Sequence, residues 1–272
     1  MTEHNRLAVI GDPIAHSLSP LLHNAMAREL GLPFSYEARR VTVDGLPAWL
    51  EEVKAGGWSG FNATMPHKLH LLPLLDRLTE QAVFFGAVNT VRNENGVLTG
   101  HNTDGDGFAR MLAEHGFGFS GANVAILGAG GAAGAIARKA VQDGATRITV
   151  YNRTVDRAKQ LCAVSPATMS AAALGDAIPK DTDFLISTLP AGNQLDLNFV
   201  RELDFRCAVI DILYSPPKTP LLEAAETRGL FARNGLGMLI HQAILAFAFF
   251  TGADLDPVSM AKLLYREVHD KT

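Results

Sequence analysis

Cysteine is scarce in this chain: Cys162 and Cys207 are the only two in 272 residues. Two cysteines cannot build a disulfide framework, and their spacing does not suit a zinc site. A reducing compartment is expected. Long apolar runs are missing too. The most apolar stretch, residues 243–250, falls far short of the roughly 20 residues that span a bilayer. It is expected to be a buried helix. The run at 7–10 ends at Gly11-Asp12-Pro13, too short for the apolar region of a signal peptide. A cytoplasmic location and no membrane partner are therefore expected. No strong excess of one charge exists, since 28 Asp and Glu face 24 Lys and Arg. A broad electrostatic grip on nucleic acid or anionic lipid is excluded on that balance. The nine histidines show no HExxH or clustered spacing, so no metal is expected.

What is present is a globular α/β pattern. With 47% hydrophobic residues the chain is not disordered, and its length allows one or two domains. No internal repeat or low-complexity tract occurs. Strands are expected at 7–10, 35–39, 60–64, 90–92, 97–100, 123–127, 147–151, 184–188, 208–212 and 230–232. Helical segments separate them, which predicts parallel sheets with crossover helices. Ser19 reads as a helix cap with Pro20 first in the helix and Gly31 as its stop. Pro66, Thr79 and Asp104 open further helices, with Asp104 read as an N-cap. The glycine-rich segment 116–122 reads as a crossing between domains. Two helices, near 238–251 and 257–268, close the chain.

One unit carries a nucleotide-binding signature. The strand 123–127 runs into Gly128-Ala129-Gly130-Gly131-Ala132-Ala133-Gly134 and a helix, and a second strand follows at 147–151. Gly128 permits the tight turn, and Gly130 lets the backbone approach a pyrophosphate. Small residues at 131–134 let the helix pack closely, and its N-terminus offers N–H groups to phosphates. NAD-type units end the second strand with an acid. Here the residues are Tyr151-Asn152-Arg153-Thr154, with Arg157 one helical turn on. An arginine there can pair with a 2′-phosphate that an acid would repel, so NADP is favoured. The plain alternative makes Arg153 and Arg157 a solvated helix start.

Three earlier segments are unusually polar. In the first, 11–20, Ser17 and Ser19 stand at a helix N-terminus, a natural carboxylate site. Capping alone accounts for Ser19 but not for Ser17. The second is Asn62-Ala63-Thr64-Met65-Pro66-His67-Lys68. A lysine in a first helical turn opposes the helix dipole at a cost of about 0.3–1 kcal/mol. Such a placement suits proton transfer, with a surface lysine as the alternative. The third pairs Asn89 with the run His101-Asn102-Thr103-Asp104-Gly105.

Taken together these segments resemble the shikimate dehydrogenase family over essentially the whole chain. The resemblance rests on GDPIAHSLSPLLHN at 11–24, NATMPHK at 62–68, GAVNT at 86–90 and HNTDGDG at 101–107. It continues through GAGGAA at 128–133, NRTVDRA at 152–158, DILYSPPKTPLL at 211–222 and NGLGMLIHQA at 234–243. It implies reversible NADPH-dependent reduction of 3-dehydroshikimate to shikimate, a step toward aromatic amino acids. The implied fold is α/β with two domains and a cleft between them. One is a substrate domain, 1–104 plus 236–272; the other is a Rossmann-type NADP-binding domain, 105–235. The implied catalytic pair is Lys68 and Asp104. Ser17, Ser19 and Tyr214 would hold the substrate carboxylate, and Thr64, Asn89, Asp104 and Gln242 its hydroxyls. Cofactor contacts would come from Gly128, Gly130, Gly131, Ala132, Asn152, Arg153, Thr154, Arg157, Thr188, Gly235 and Met238. A monomer or homodimer is expected.

Some positions depart from the family pattern. Ala63 replaces a common valine, Phe250 a frequent tryptophan, and Ser187-Thr188-Leu189-Pro190 the commoner Asn-Ala/Thr-Thr-Pro. A quinate-preferring paralogue would alter the second serine or the NRT segment, and both are intact. A non-catalytic NADP-binding regulator would lack Lys68 or Asp104, and both are present.

Overall fold

A computed structural model describes residues 5–271. It divides the chain into two compact units, Met1–Gly107 with Leu239–Thr272, and Phe108–Met238.

The first unit is built on strands β1 (Asn5–Gly11), β2 (Phe34–Arg40), β3 (Gly60–Ala63), β4 (Arg77–Leu78), β5 (Thr90–Glu94) and β6 (Val97–His101). Their order in the sheet is β2-β1-β3-β5-β6-β4. Central β1 carries the run Leu7-Ala8-Val9-Ile10, apolar on both faces as a covered parallel strand requires. It pairs in parallel with β2 and β3, whereas β3–β5 and β5–β6 are antiparallel. The first sheet is thus mixed, where the sequence pattern predicts parallel pairing. The cause is local: Asn95 and Gly96 both adopt positive φ, which makes a two-residue hairpin turn between β5 and β6.

Helices α1 (Ser19–Glu29), α2 (Leu46–Lys54), α3 (His67–His70) and α4 (Glu80–Phe85) belong to this unit. Helix α2 presses Trp49, Leu50 and Val53 onto the sheet beside Trp58 and Phe61. Thr79 caps α4 by accepting the Ala82 N–H, as expected. Helix α5 (Asp104–Glu114) carries the chain into the second unit. The division falls inside α5 and not at 116–122; Phe119 and Ala122 are buried in the second unit's core.

That second unit is a fully parallel sheet of β7 (Asn123–Leu127), β8 (Arg147–Asn152), β9 (Met169–Ala173), β10 (Phe184–Ser187), β11 (Ala208–Asp211) and β12 (Phe231–Asn234). The order β12-β11-β10-β7-β8-β9 is the doubly wound Rossmann arrangement. Side chains alternate between two cores. Val124, Ile126, Ile148 and Ile186 enter one, and Ala125, Leu127, Leu185 and Val209 the other. Helices α6 (Gly131–Gln142), α7 (Val155–Cys162) and α8 (Pro220–Thr227) provide crossovers. Both cysteines are free and buried.

The chain ends with α9 (Leu236–Thr251) and α10 (Pro257–His269). The apolar stretch 243–250 lies in α9, where Ala246 and Phe250 pack on Leu7, Val9 and Tyr36 of the first unit. Arg28 of α1 pairs with Glu267 of α10 at 2.7 Å. No helix among the described residues is long and apolar enough to cross a membrane.

Candidate active site

The carboxyl end of β3 turns beside the end of β1, where the Thr64 N–H donates to the Ile10 carbonyl at 2.9 Å. Lys68 follows in α3, and its own carbonyl accepts the Val88 N–H at 2.8 Å. The chain is thereby stitched to the turn that carries Asn89 into β5. Lys68 Nζ donates to Asp104 Oδ2 at 2.6 Å. The lysine side chain is 17% exposed and the aspartate 0%. One partner of the pair is therefore open to a ligand, while the other is fully withdrawn from water.

Asp104 is not the cap of α5. It is the first helical residue, and Asn102 Oδ1 accepts its N–H at 2.9 Å. Asn102 thus takes the capping role and leaves the Asp104 carboxylate free for Lys68. Asn89 holds the other oxygen: its Nδ2 donates to Asp104 Oδ1 at 3.0 Å, to Thr103 Oγ1 at 2.9 Å and to Gln242 Oε1 at 3.1 Å. Asn89 Oδ1 accepts from the Thr90 hydroxyl at 2.8 Å and the Thr103 N–H at 2.9 Å. With donors on one side and acceptors on the other, the amide has one satisfactory orientation.

The same directional pattern extends outward. Thr90 Oγ1 accepts from Asn62 Nδ2 at 2.9 Å, and Asn62 Oδ1 accepts from the Tyr36 hydroxyl at 2.7 Å. Burial pushes the Tyr36 phenol well above its ordinary range, opposed by a hydrogen bond from Ser19. A continuous relay thus runs from Tyr36 through Asn62, Thr90 and Asn89 to Asp104. Ser17, not Ser19, makes the turn at the start of α1: its Oγ accepts the Ser19 N–H at 3.2 Å, and no side chain caps the helix. The expected Ser19 cap is not formed, because Ser19 is already inside the helix.

Three histidines near this network are neutral packing groups. His23 stacks on Tyr36 with ring centroids 4.1 Å apart, and burial lowers its pKa to about 3. His101 stacks on Phe249 and meets Thr79 Oγ1, and burial takes it to about 4. His67 donates from Nε2 to the Val41 carbonyl at 2.8 Å, and burial lowers its pKa as well. Among the described residues no cluster could hold a metal ion.

In the second unit the cofactor candidates gather at the carboxyl ends of β7, β8 and β10. Gly128 has φ +107°, and a Cβ there would strike the Thr188 hydroxyl. That hydroxyl donates to the Leu127 carbonyl at 2.9 Å. Helix α6 starts at Gly131 and Ala132 with Gly130 as its N-cap and no side-chain cap. Its first N–H groups are left for an anion. Gly134 meets Arg138 and Leu161, so its smallness serves helix packing away from the sheet. Asn152 donates to the Thr154 carbonyl at 2.8 Å, which tightens the turn after β8. Arg153, Thr154 and Arg157 are exposed, and among the described residues neither arginine pairs with a carboxylate. These residues suit the 2′-phosphate of NADP. Gly235 packs against the Ile212 carbonyl, and Met238 is buried in the second unit's core. Tyr214 is half-buried on the loop after β11.

Known proteins match the chain along its length. Residues 9–91 match the shikimate dehydrogenase substrate binding domain, 111–195 shikimate / quinate 5-dehydrogenase, and 235–265 the shikimate 5'-dehydrogenase C-terminal domain. The chain is 40% identical over 278 residues to shikimate dehydrogenase (NADP(+)) of Desulfitobacterium hafniense, covering 98% of each. It belongs to the shikimate dehydrogenase family. A family structure from Thermus thermophilus, in complex with NADP(H) and shikimate, aligns with TM-score 0.85 at 34% identity and covers 97% of this chain and 99% of that one. The ligand-free 5-ketofructose reductase of Gluconobacter sp. aligns with TM-score 0.84 at 33% identity, over 98% and 99% of the two chains.

Within the first unit, the structure brings Lys68, Asp104, Asn89 and Gln242 into one network. Asn62, Thr90, Tyr36 and Asn102 join it without having been singled out. All four are polar groups on or beside strands of the first unit's sheet. Three of them lie inside the family motifs, and that was the available signal.

Proposed function

We propose that the protein catalyses reversible, NADP-dependent interconversion of shikimate and 3-dehydroshikimate. The observation that carries this reading is the Lys68–Asp104 pair, oriented by Asn89 and linked through it by hydrogen bonds to Thr90, Asn62 and Tyr36. When bound, NADP supplies the hydride acceptor, and NADPH the hydride donor. Reduction places negative charge on the ketone oxygen. Lys68 Nζ gives that oxygen a proton, while Asp104 holds the ammonium in position. In the oxidising direction the neutral amine takes the hydroxyl proton back. Asn89, Thr64 and Gln242 orient the ring hydroxyls, and Ser17 and Ser19 receive the carboxylate. In the second unit the uncapped start of α6 holds the pyrophosphate, and Arg153 and Arg157 hold the 2′-phosphate. Two free cysteines suit work in a reducing cytoplasm.

The 5-ketofructose reductase likeness favours a second reading, in which the same pair reduces an uncharged ketose. Two serine hydroxyls at the start of α1 favour an anionic substrate instead. The test compares initial rates with shikimate or quinate, each with NADP or NAD, and reduction of 3-dehydroshikimate or 5-ketofructose by NADPH. Shikimate with NADP is expected to lead. Comparable rates with quinate and NAD, or faster reduction of 5-ketofructose, would overturn the assignment.

A further inference from the structure

Gly107 lies three residues after Asp104 on α5, about one helical turn along the same side. A Cβ on Gly107 would stand 2.8 Å from the Gln242 backbone N, 3.0 Å from its Cα and 2.9 Å from its Cβ. Two of these are backbone atoms, so no rotation of a side chain relieves the clash; the two helices must move apart. Alanine favours a helix interior more than glycine does, so the benefit of glycine here is the close approach of the two helices. That approach has a chemical consequence. It brings Gln242 Oε1 to 3.1 Å from Asn89 Nδ2, near the long end of a useful hydrogen bond. The same Nδ2 holds Asp104 Oδ1 at 3.0 Å.

We propose that Gly107 is a positioning residue for the reaction, acting through Gln242: its missing side chain sets the depth at which α9 presents the Gln242 amide beside Asn89 and the substrate hydroxyl. This rests on the shikimate dehydrogenase reading above. A wider spacing of the two helices would draw the amide back from both, and the substrate would lose a contact.

A double-mutant cycle tests this. Shikimate kinetics, KM for NADP and melting temperature are measured for the wild type, Gly107→Ala, Gln242→Ala and the double variant. Gln242→Ala is expected to raise shikimate KM about tenfold, as for the loss of one good hydrogen bond. Gly107→Ala is expected to raise it about fivefold, with kcat and KM for NADP little changed, because the amide is moved and not removed. In the Gln242→Ala background Gly107→Ala should add less than about twofold, the signature of two residues acting as one. An equal penalty in both backgrounds overturns the proposal and leaves Gly107 a packing residue. Should Gly107→Ala fail to fold, Gln242→Asn draws the amide back by one methylene without disturbing the helices. It should raise shikimate KM, and an unchanged KM overturns the proposal. Unchanged KM in Gln242→Ala removes the role of Gln242 and the proposal with it. Failure of the wild type to oxidise shikimate overturns the function reading itself.

Discussion

The Lys68 ammonium is bonded to an Asp104 carboxylate that has no contact with water. Asn89 holds the second carboxylate oxygen, so the aspartate has one partner of each kind and a fixed plane. Breaking a buried pair from one side leaves a charge stranded, which typically costs about 3–5 kcal/mol. Lys68→Met is therefore expected to lose about 3 kcal/mol of stability in urea at neutral pH. Adding Asp104→Asn should restore most of it. A double variant as unstable as Lys68→Met would mean that lost packing, not stranded charge, set the cost.

Thr90 is the central link of the relay, since it accepts from Asn62 and donates to Asn89. Thr90→Val keeps the shape but removes one of the two hydrogen bonds made by each of Asn62 Nδ2 and Asn89 Oδ1, at roughly 1–3 kcal/mol in all. Slower turnover should accompany it, because Asn89 loses one of the two donors that fix its amide. Thr90→Ser keeps the hydroxyl and should stay close to wild type in both respects. Equal defects in the two variants, by kinetics and urea unfolding, would show that the methyl group and not the hydroxyl matters.

Arg153 is exposed, has no carboxylate partner among the described residues, and follows a strand that ends without an acid. Arg153→Ala should weaken NADP by about tenfold or more, as for a charge-assisted bond, and leave NAD almost unchanged. Fluorescence titration with each dinucleotide reads this directly. Equal weakening of both would make Arg153 part of the turn and not of 2′-phosphate recognition.

The buried histidines make stability depend on pH. His23 titrates near 3 in the folded chain against 6.5 ordinarily. Below 6.5 the unfolded chain takes up the proton and the folded chain does not. Stability is fully present above 6.5 and is lost as pH falls toward 3. Between pH 7 and pH 4.5 the contribution of His23 to this loss is about 2–3 kcal/mol. His23→Phe keeps a ring against Tyr36 and removes the proton site. Its urea midpoint should fall less than that of the wild type over this interval. An equal fall would show that His23 is not held neutral.

The sequence made the parallel unit readable because its strands are apolar runs that each end in a glycine or polar turn. The strand Met169–Ala173 escaped notice since Met-Ser-Ala-Ala-Ala has no β-branched residue to mark it. The hairpin between Thr90–Glu94 and Val97–His101 was also missed, although Asn95-Gly96 carries the turn signal. At the site, Lys68, Asp104 and Asn89 stood out as polar residues in odd places. The relay through Tyr36, Asn62 and Thr90 did not. It depends on which strands lie side by side, and β3 beside β5 is a fact of register that no local pattern encodes.

The most direct test of the central claim is NADPH formation from shikimate by the purified protein beside its Lys68→Ala variant. The wild type should turn over, and the variant's kcat should fall by about 10²–10⁴ with shikimate KM changed only a few-fold, as for loss of a proton donor and acceptor. A variant with unchanged kcat would contradict the account, as would a folded wild type that forms no NADPH.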